Sequence, residues 1–356
     1  MSIIPLFGHA ALRRRLEDGF TRNALPASLL LEGPRGIGKQ RLALWLGGML
    51  LCTGDNPPCG RCQSCGYVAE LAHPDLHWIF PRPRLSGDIT AEDVRNDYRD
   101  AIMDRQAAAG LYPAPSGSEG IFIYTVHTLS GVAALTPAMG SRKVIVIGDA
   151  ERMVPQEGSE DAANAFLKLL EEPPSNTHLI LTSSEPGALL PTIRSRVVSM
   201  RASRLTDGEV RAFLEDPVVR SALDNTDSAT SIEDRIHLAS GAPGTLLADH
   251  REGDPMAMAR TFVNAAFEGR PAQMRASLAL GSSGARGFFS DVLDATCALL
   301  AQHARESADR NEPGRALAFA KAIDAAEMAK TRAYSNVNPQ LVGTALLREM
   351  SSLLHD

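Results

Sequence analysis

Ala27-Ser28-Leu29-Leu30-Leu31-Glu32, running directly into Gly33-Pro34-Arg35-Gly36-Ile37-Gly38-Lys39-Gln40, is the stretch on which the fold turns. The apolar run reads as a short buried strand, the glycines as a tight turn, and residues 39–51 as a helix whose apolar face carries Leu42, Leu46, Met49 and Leu50. Strand, glycine loop and helix in that order form a phosphate-binding unit. The loop fits G-x-x-x-x-G-K-[ST] in seven of its eight positions. Its glycines let backbone N–H groups and the helix N-terminus converge on phosphate oxygens, and Lys39 adds a point charge. Gly33, Gly36, Gly38 and Lys39 are therefore the candidates for holding ATP or ADP. The eighth position departs: Gln40 stands where a Ser or Thr hydroxyl would ligate Mg²⁺. An occupied loop with little hydrolysis and a ligand-free glycine turn both remain open.

Outward from the loop, residues 76–80, 143–147 and 178–182 read as further buried strands, and 121–124 as an extended start. Lys143-Val144-Ile145-Val146-Ile147 is nearly continuous in β-branched residues, the mark of a central parallel strand covered on both faces. A helix over 161–172 stops at Pro173-Pro174, and one over 91–109 follows the cap Thr90, within a segment 81–120 that reads as a solvated surface insertion. Strands alternating with helices to residue 200 predict a parallel α/β domain. After the 143–147 strand comes Gly148-Asp149-Ala150-Glu151. A hydrolysing site has a metal-binding Asp there, followed by a Glu that activates water. Gly148 takes the place of the Asp, and Asp149 that of the Glu. Two independent departures in one site shift the reading from weak enzyme to retired enzyme.

Beyond residue 200 the pattern is helical only. Helices are expected over 207–214 after the cap Thr206, over 232–239 ending at Gly241, and on the spacings Met256, Ala259, Val263, Phe267; Phe289, Val292, Thr296, Leu299; and Val342, Leu346, Met350, Leu353. The chain thus divides into 1–202, 203–250 and 251–356.

Cys52, Cys59, Cys62 and Cys65 give C-x6-C-x2-C-x2-C, four thiolates sufficient for a closed tetrahedral Zn²⁺ site of structural type. Reduced free thiols are the alternative. With four cysteines no ligand position is vacant, so His73 reads as structural and Cys297 as a small core residue. The cluster suits a reducing compartment better than a disulfide framework. The N-terminus lacks the apolar run of a signal peptide, and no stretch approaches 18 apolar residues, so a cytoplasmic location without a membrane span is expected. With 36 Lys and Arg against 42 Asp and Glu the formal charge is -6, and aromatic residues make up 5% of the 356. Neither figure suits a chain that grips nucleic acid alone. Any contact with DNA would be shared through an assembly.

Several segments together resemble one family. The 33–40 loop, the cysteine cluster, His73-Pro74-Asp75, the strand and turn 143–153, Asn164-Ala165-Phe166-Leu167-Lys168-Leu169-Leu170-Glu171-Glu172-Pro173-Pro174 and Ile193-Arg194-Ser195-Arg196 occur in the order found in bacterial DNA polymerase III clamp-loader subunits. The similarity covers roughly residues 1–80 and 121–250, and 164–174 is its most distinctive part. It implies an AAA+ module: a nucleotide-binding α/β domain with a zinc module over 52–65, a small helical lid, and an all-α collar that joins five subunits in an open ring. It also implies gamma/tau and delta subunits, a sliding clamp and primed DNA as partners. The active gamma or tau members keep the Thr, the acidic pair and a lid arginine. This chain lacks all three, as the delta-prime branch typically lacks working versions. The family's Ser-Arg-Cys motif, here Ser195-Arg196-Val197, projects an arginine into the neighbouring subunit's nucleotide site, which makes Arg196 the expected trans-acting finger and Arg194 its competitor. Thr182-Ser183-Ser184 lies where the active paralogue senses phosphate. The 91–109 helix and its flanks are an addition to the family pattern, and Arg82 and Arg84 there are its candidates for touching DNA or a neighbour. A gamma/tau-like ATPase with a divergent but working site is the competing reading.

Overall fold

The computed structural model describes residues 2–115, 119–153, 160–224, 231–247, 255–280, 286–334 and 338–355. The chain forms two compact units, one of Met1–Ala114 with Glu119–Ala248 and one built mainly of Asp249–Asp356. The expected boundary at 250/251 and residues 116–118 of the 81–120 segment lie outside the described residues.

In the first unit five parallel strands, β1 (Ser28–Glu32), β2 (Leu76–Ile79), β3 (Lys143–Ile147), β4 (Thr177–Ser183) and β5 (Val198–Arg201), lie in the order β2-β3-β4-β1-β5. Because side chains alternate across a strand, one sheet feeds two cores. Leu29, Leu31, Val144, Val146 and Ile180 point to the face covered by α1 (Ala10–Thr21), α2 (Lys39–Leu51) and α4 (Ala91–Ala107). Leu30, Ile145, Ile147, Leu179 and Leu181 point to the other, where α5 (Ile123–Ala134) and α6 (Asp161–Glu171) supply Val126, Leu129, Phe166 and Leu170. A run such as Val144-Ile145-Val146-Ile147 is apolar at every position because both faces are dry. A short helix, α3 (Gln63–Ala69), follows the cysteine loop.

The sheet differs from expectation at both margins. Residues 123 and 124 are helical, not extended: Phe122 O accepts from the N–H groups of Thr125 and Val126, and Val126, Leu129 and Ala133 then face the core at helical spacing. Edge strand β5 has no apolar run in the sequence, because only Met200 of its four residues is buried. The four-residue helix α7 (Pro191–Arg194), too short for a periodic signal, leads into it.

The segment 81–120 is not a solvated insertion. Thr90 caps α4 in a reciprocal box with Asp93, and Val94, Tyr98 and Ala101 are buried against the sheet. The Tyr98 hydroxyl donates to Phe80 O at 2.7 Å, and the two rings meet edge to face. Arg105 lies over the rings of Phe80, Tyr112 and Trp78. Arg82 is held by Asp97 through two hydrogen bonds of 3.0 and 2.8 Å, and Arg84 lies over Phe122. The spacing Val94, Tyr98, Ala101 is that of a core-facing helix, and it outweighs the polar composition around it. Tyr98→Ala is therefore expected to cost about 3 kcal/mol, the usual loss for a buried aromatic ring, in urea unfolding followed by tryptophan fluorescence. A change below about 0.5 kcal/mol, typical of surface positions, would restore the solvated reading.

Helices α8 (Asp207–Glu215), α9 (Pro217–Asp224) and α10 (Ile232–Ala239), with a 3-10 turn at Pro243–Leu247, complete this unit. Thr206 opens α8 in a capping box with Glu209, and the Ser231 side chain caps α10. Their core joins Val210, Phe213 and Ile236 to Ile4, Ile37 and Leu111, so the helical segment is packed onto the glycine loop.

Among the described residues of the second unit every regular element is a helix: α11 (Pro255–Glu268), α12 (Arg270–Leu278), α13 (Arg286–Asp309), α14 (Pro313–Tyr334) and α15 (Pro339–His355). Phe262, Phe289, Leu293, Leu300, Leu346 and Met350 lie at its centre, and Cys297 packs at the margin. Phe267, expected to face inward, is exposed and meets His355 edge to face. No described helix is long and apolar enough to cross a membrane.

Candidate functional site

The glycine loop leaves the end of β1 and enters α2 at Lys39. Gly36 and Gly38 hold φ values of +77° and +88°, a region that favours glycine. Gly36 is also approached by the 3-10 turn: Gly244 N–H donates to Gly36 O at 2.8 Å, and a Cβ on Gly36 would lie 2.8 Å from Thr245 Cγ2. The Lys39 ammonium turns back into the loop. It donates to Gly33 O at 2.9 Å, Pro34 O at 2.8 Å and Ser184 Oγ at 2.8 Å, which uses all three of its protons. Burial lowers its pKa, against the opposing pull of Asp149 and Glu151.

The tips of β3 and β4 close the other side. Asp149 takes a φ of +49°, and its N–H donates to Thr182 Oγ1 at 3.1 Å. Gln40 reaches across from α2: its Nε2 donates to Asp149 Oδ2 at 2.9 Å, and its Oε1 accepts from Trp78 Nε1 at 2.9 Å. Glu151 Oε1 accepts from Ser184 N–H at 3.1 Å, while its Oε2 has no partner among the described residues. Burial, then the charge of Asp149, push the Glu151 carboxyl up to about 7. The structure thus brings together Lys39, Gln40, Asp149, Thr182 and Ser184. It adds Trp78 and Glu151, which sequence reasoning did not single out. Glu151 stood two residues beyond Asp149, but a tryptophan in an apolar strand gives no sign that its indole N–H meets a glutamine.

Mg²⁺, implied by this type of site, does not fit the residues present. Gln40 offers an amide already engaged at both ends, and Gly148 offers no ligand at all.

Arg196 lies outside this cluster, just beyond α7. Its Nη2 pairs with Glu171 Oε1 at 2.6 Å and its Nη1 donates to Thr192 O at 2.9 Å, with about a third of the side chain exposed. Arg194, its competitor, is also exposed.

The four cysteines form a second centre. Their sulfurs all lie within 4.8 Å of one another, with Cys52 and Cys62 Sγ 3.9 Å apart. A Zn–S bond of about 2.3 Å gives a tetrahedral edge of about 3.8 Å, so the cage fits zinc. Backbone N–H groups of Gly54 and Cys59 point at Cys52 Sγ, that of Cys62 at Cys59 Sγ, and that of Cys65 at Cys62 Sγ. The Cys65 N–H, then that of Thr53, help bring the Cys62 thiol down to about 5, whereas burial pushes Cys65 up to about 12. His73 is not part of the cage. Its Nδ1 accepts from Asp75 N–H at 3.0 Å, which assigns the ring proton to Nε2, 2.9 Å from Ser64 Oγ.

A five-stranded parallel sheet flanked by helices, a glycine loop at the sheet's strand tips and a large helical region after it give the AAA+-like layout expected from the sequence. The profile of the family described as DNA polymerase III, delta subunit, matches residues 8–206, and the chain belongs to that family, in its delta-prime and gamma/tau group. It is 30% identical over 231 residues to the DNA polymerase III subunit delta' of Pseudomonas aeruginosa, which covers 63% of this chain and 56% of the relative. It is 27% identical over 182 residues to the same subunit of Bacillus subtilis, covering 51% and 43%. With subunit tau of Escherichia coli it shares 27% over 202 residues, covering 56% and 25%. The match thus spans 56% of the length of the Pseudomonas aeruginosa relative and less than half of the other two. A gamma subunit-related protein from Thermotoga maritima aligns over 96% of this chain and 98% of its own, at 15% identity and a TM-score of 0.43.

Proposed function

We propose that this chain is a non-hydrolysing subunit of a clamp loader, which donates Arg196 to the nucleotide site of a neighbouring ATPase subunit and helps load a sliding clamp on primed DNA. In this reading 203–250 is a lid, 251–356 a ring-forming collar, the four cysteines hold structural Zn²⁺, and gamma/tau and delta subunits are the partners in the cytoplasm. Family membership supports the setting. The observation that carries the lack of turnover is Lys39, whose three protons are all taken by the chain's own Gly33, Pro34 and Ser184 oxygens. A lysine held in this way has to break those contacts before it can meet a phosphate, and Gln40 and Gly148 stand where the hydroxyl and the Asp that ligate Mg²⁺ would be. ATP or ADP bound here would sit on the Gly33, Gly36, Gly38 and Lys39 backbone without being cleaved.

The purified chain is accordingly expected to release phosphate from ATP no faster than its Lys39→Ala variant, in a steady-state assay at saturating Mg²⁺ and ATP. Turnover that Lys39→Ala abolishes would instead make this chain a gamma/tau-like ATPase.

A further inference from the structure

The two departures at 40 and 148 are not independent. Gly148 does not take a positive φ, so its backbone is open to any residue. What requires glycine there is space: a Cβ on Gly148 would stand 2.2 Å from Gln40 Oε1, 2.4 Å from its Cδ and 2.6 Å from its Nε2. The Gln40 amide therefore fills the volume into which a side chain at 148 would project. It cannot swing aside freely, because Asp149 Oδ2 and Trp78 Nε1 hold it from opposite ends, each at 2.9 Å. Trp78 is fixed in turn by edge contacts with Phe80 and Tyr112, ring centroids 5.2 and 5.4 Å away, and by Arg105 of α4 4.2 Å from its own ring.

We propose that Gln40 and Gly148 are a coupled pair in which the amide of one occupies the divalent-cation subsite that the other's missing side chain leaves, so that any nucleotide held by this chain is held without Mg²⁺. The amide donates to Asp149 as a bound cation would otherwise attract it, and it brings no net charge. This rests on reading the loop as a retired nucleotide site, and it names the residue that excludes the metal. The 91–107 helix gains a role as well, since Arg105 braces the tryptophan behind the amide.

The test is a steric double-mutant cycle on the full chain, read by urea unfolding. Both tryptophans, Trp45 and Trp78, lie in the first unit, so their fluorescence follows it. Gly148→Ala adds only the offending Cβ and is expected to raise the unfolding equilibrium constant about tenfold or more, as overpacking does. In a Gln40→Ala background the same change is expected to shift it less than about twofold, because the overlap is gone. Equal effects in the two backgrounds would overturn the coupling. A second measurement addresses the metal: calorimetric titration of the wild-type chain with ATP is expected to give the same affinity within about twofold in Mg²⁺ and in EDTA. An affinity at least tenfold tighter with Mg²⁺ would overturn the exclusion. Neither readout involves turnover, so a failure here is distinct from a failure of the non-hydrolysing assignment.

Discussion

Replacing Arg196 with alanine is expected to lower the ATPase rate of the reconstituted, clamp-stimulated complex by about 10³-fold or more, the range for loss of an arginine finger. The chain's own stability should barely change. Arg196 pairs with Glu171, but the two side chains are 35% and 47% exposed, and an ion pair in that setting contributes about 0 to 1 kcal/mol. The same weakness would let Arg196 leave Glu171 if a neighbour's phosphates, more highly charged and able to accept both arms of the guanidinium, came within reach. Two controls separate this role from a structural one. Arg196→Lys keeps a positive charge but not the planar fork, and is expected to recover little of the lost rate. Arg194→Ala is expected to stay within a few-fold of wild type. Size-exclusion chromatography of the complex should show all these variants assembled. An unchanged rate for Arg196→Ala, in a complex that assembles normally, would refute the finger.

The loop that would bind phosphate and the strand that would carry its acidic pair were legible because glycine, lysine and β-branched residues are constrained one position at a time. Gly36 and Gly38 answer to backbone angles, and the all-apolar β3 to a sheet covered on both faces. What could not be read was which residues meet. Gln40 and Gly148 looked like two separate losses, and only their approach in space makes them one. Likewise 81–120 was rich in Pro, Gly, Ser and charge, yet three residues at helical spacing decided its place: Val94, Tyr98 and Ala101 fill the space beside Phe80. The Arg105 aromatic cage has no sequence signature, because Trp78 and Phe80 at the end of β2 meet Tyr112 from beyond α4. Edge strand β5 shows the converse, a regular element with too little burial to leave a pattern.

Loss of the four-sulfur site should have the largest effect on the fold itself. Cys52 ends α2, Cys62 caps α3 and Cys65 lies within α3, so a metal here ties the close of one helix to the start of the next across the loop between them. That loop has little else to hold it: Cys59 and Cys62 are only partly covered, and residues 53–61 contribute nothing to the adjoining core. Four sulfurs within 4.8 Å cannot all be thiolates without a cation among them. A structural zinc would supply that cation, and its binding energy, about 10 kcal/mol or more in small zinc modules at neutral pH, would pass directly into folding. Elemental analysis of the purified chain should therefore find one zinc per molecule, and Cys59→Ser should bind it far more weakly. On removal by a strong chelator, hydrogen exchange should rise first in the loop and α3. The effect should then spread to α2 through Val68, which packs against Gly48, whose Cβ would lie 3.2 Å from it. The strands β1, β3 and β4, buried between the two cores, should keep their protection longest. A metal-free chain with ordinary protection in 52–69 would show that the cysteines are plain thiols and that α3 is held by Val68 and its neighbours alone.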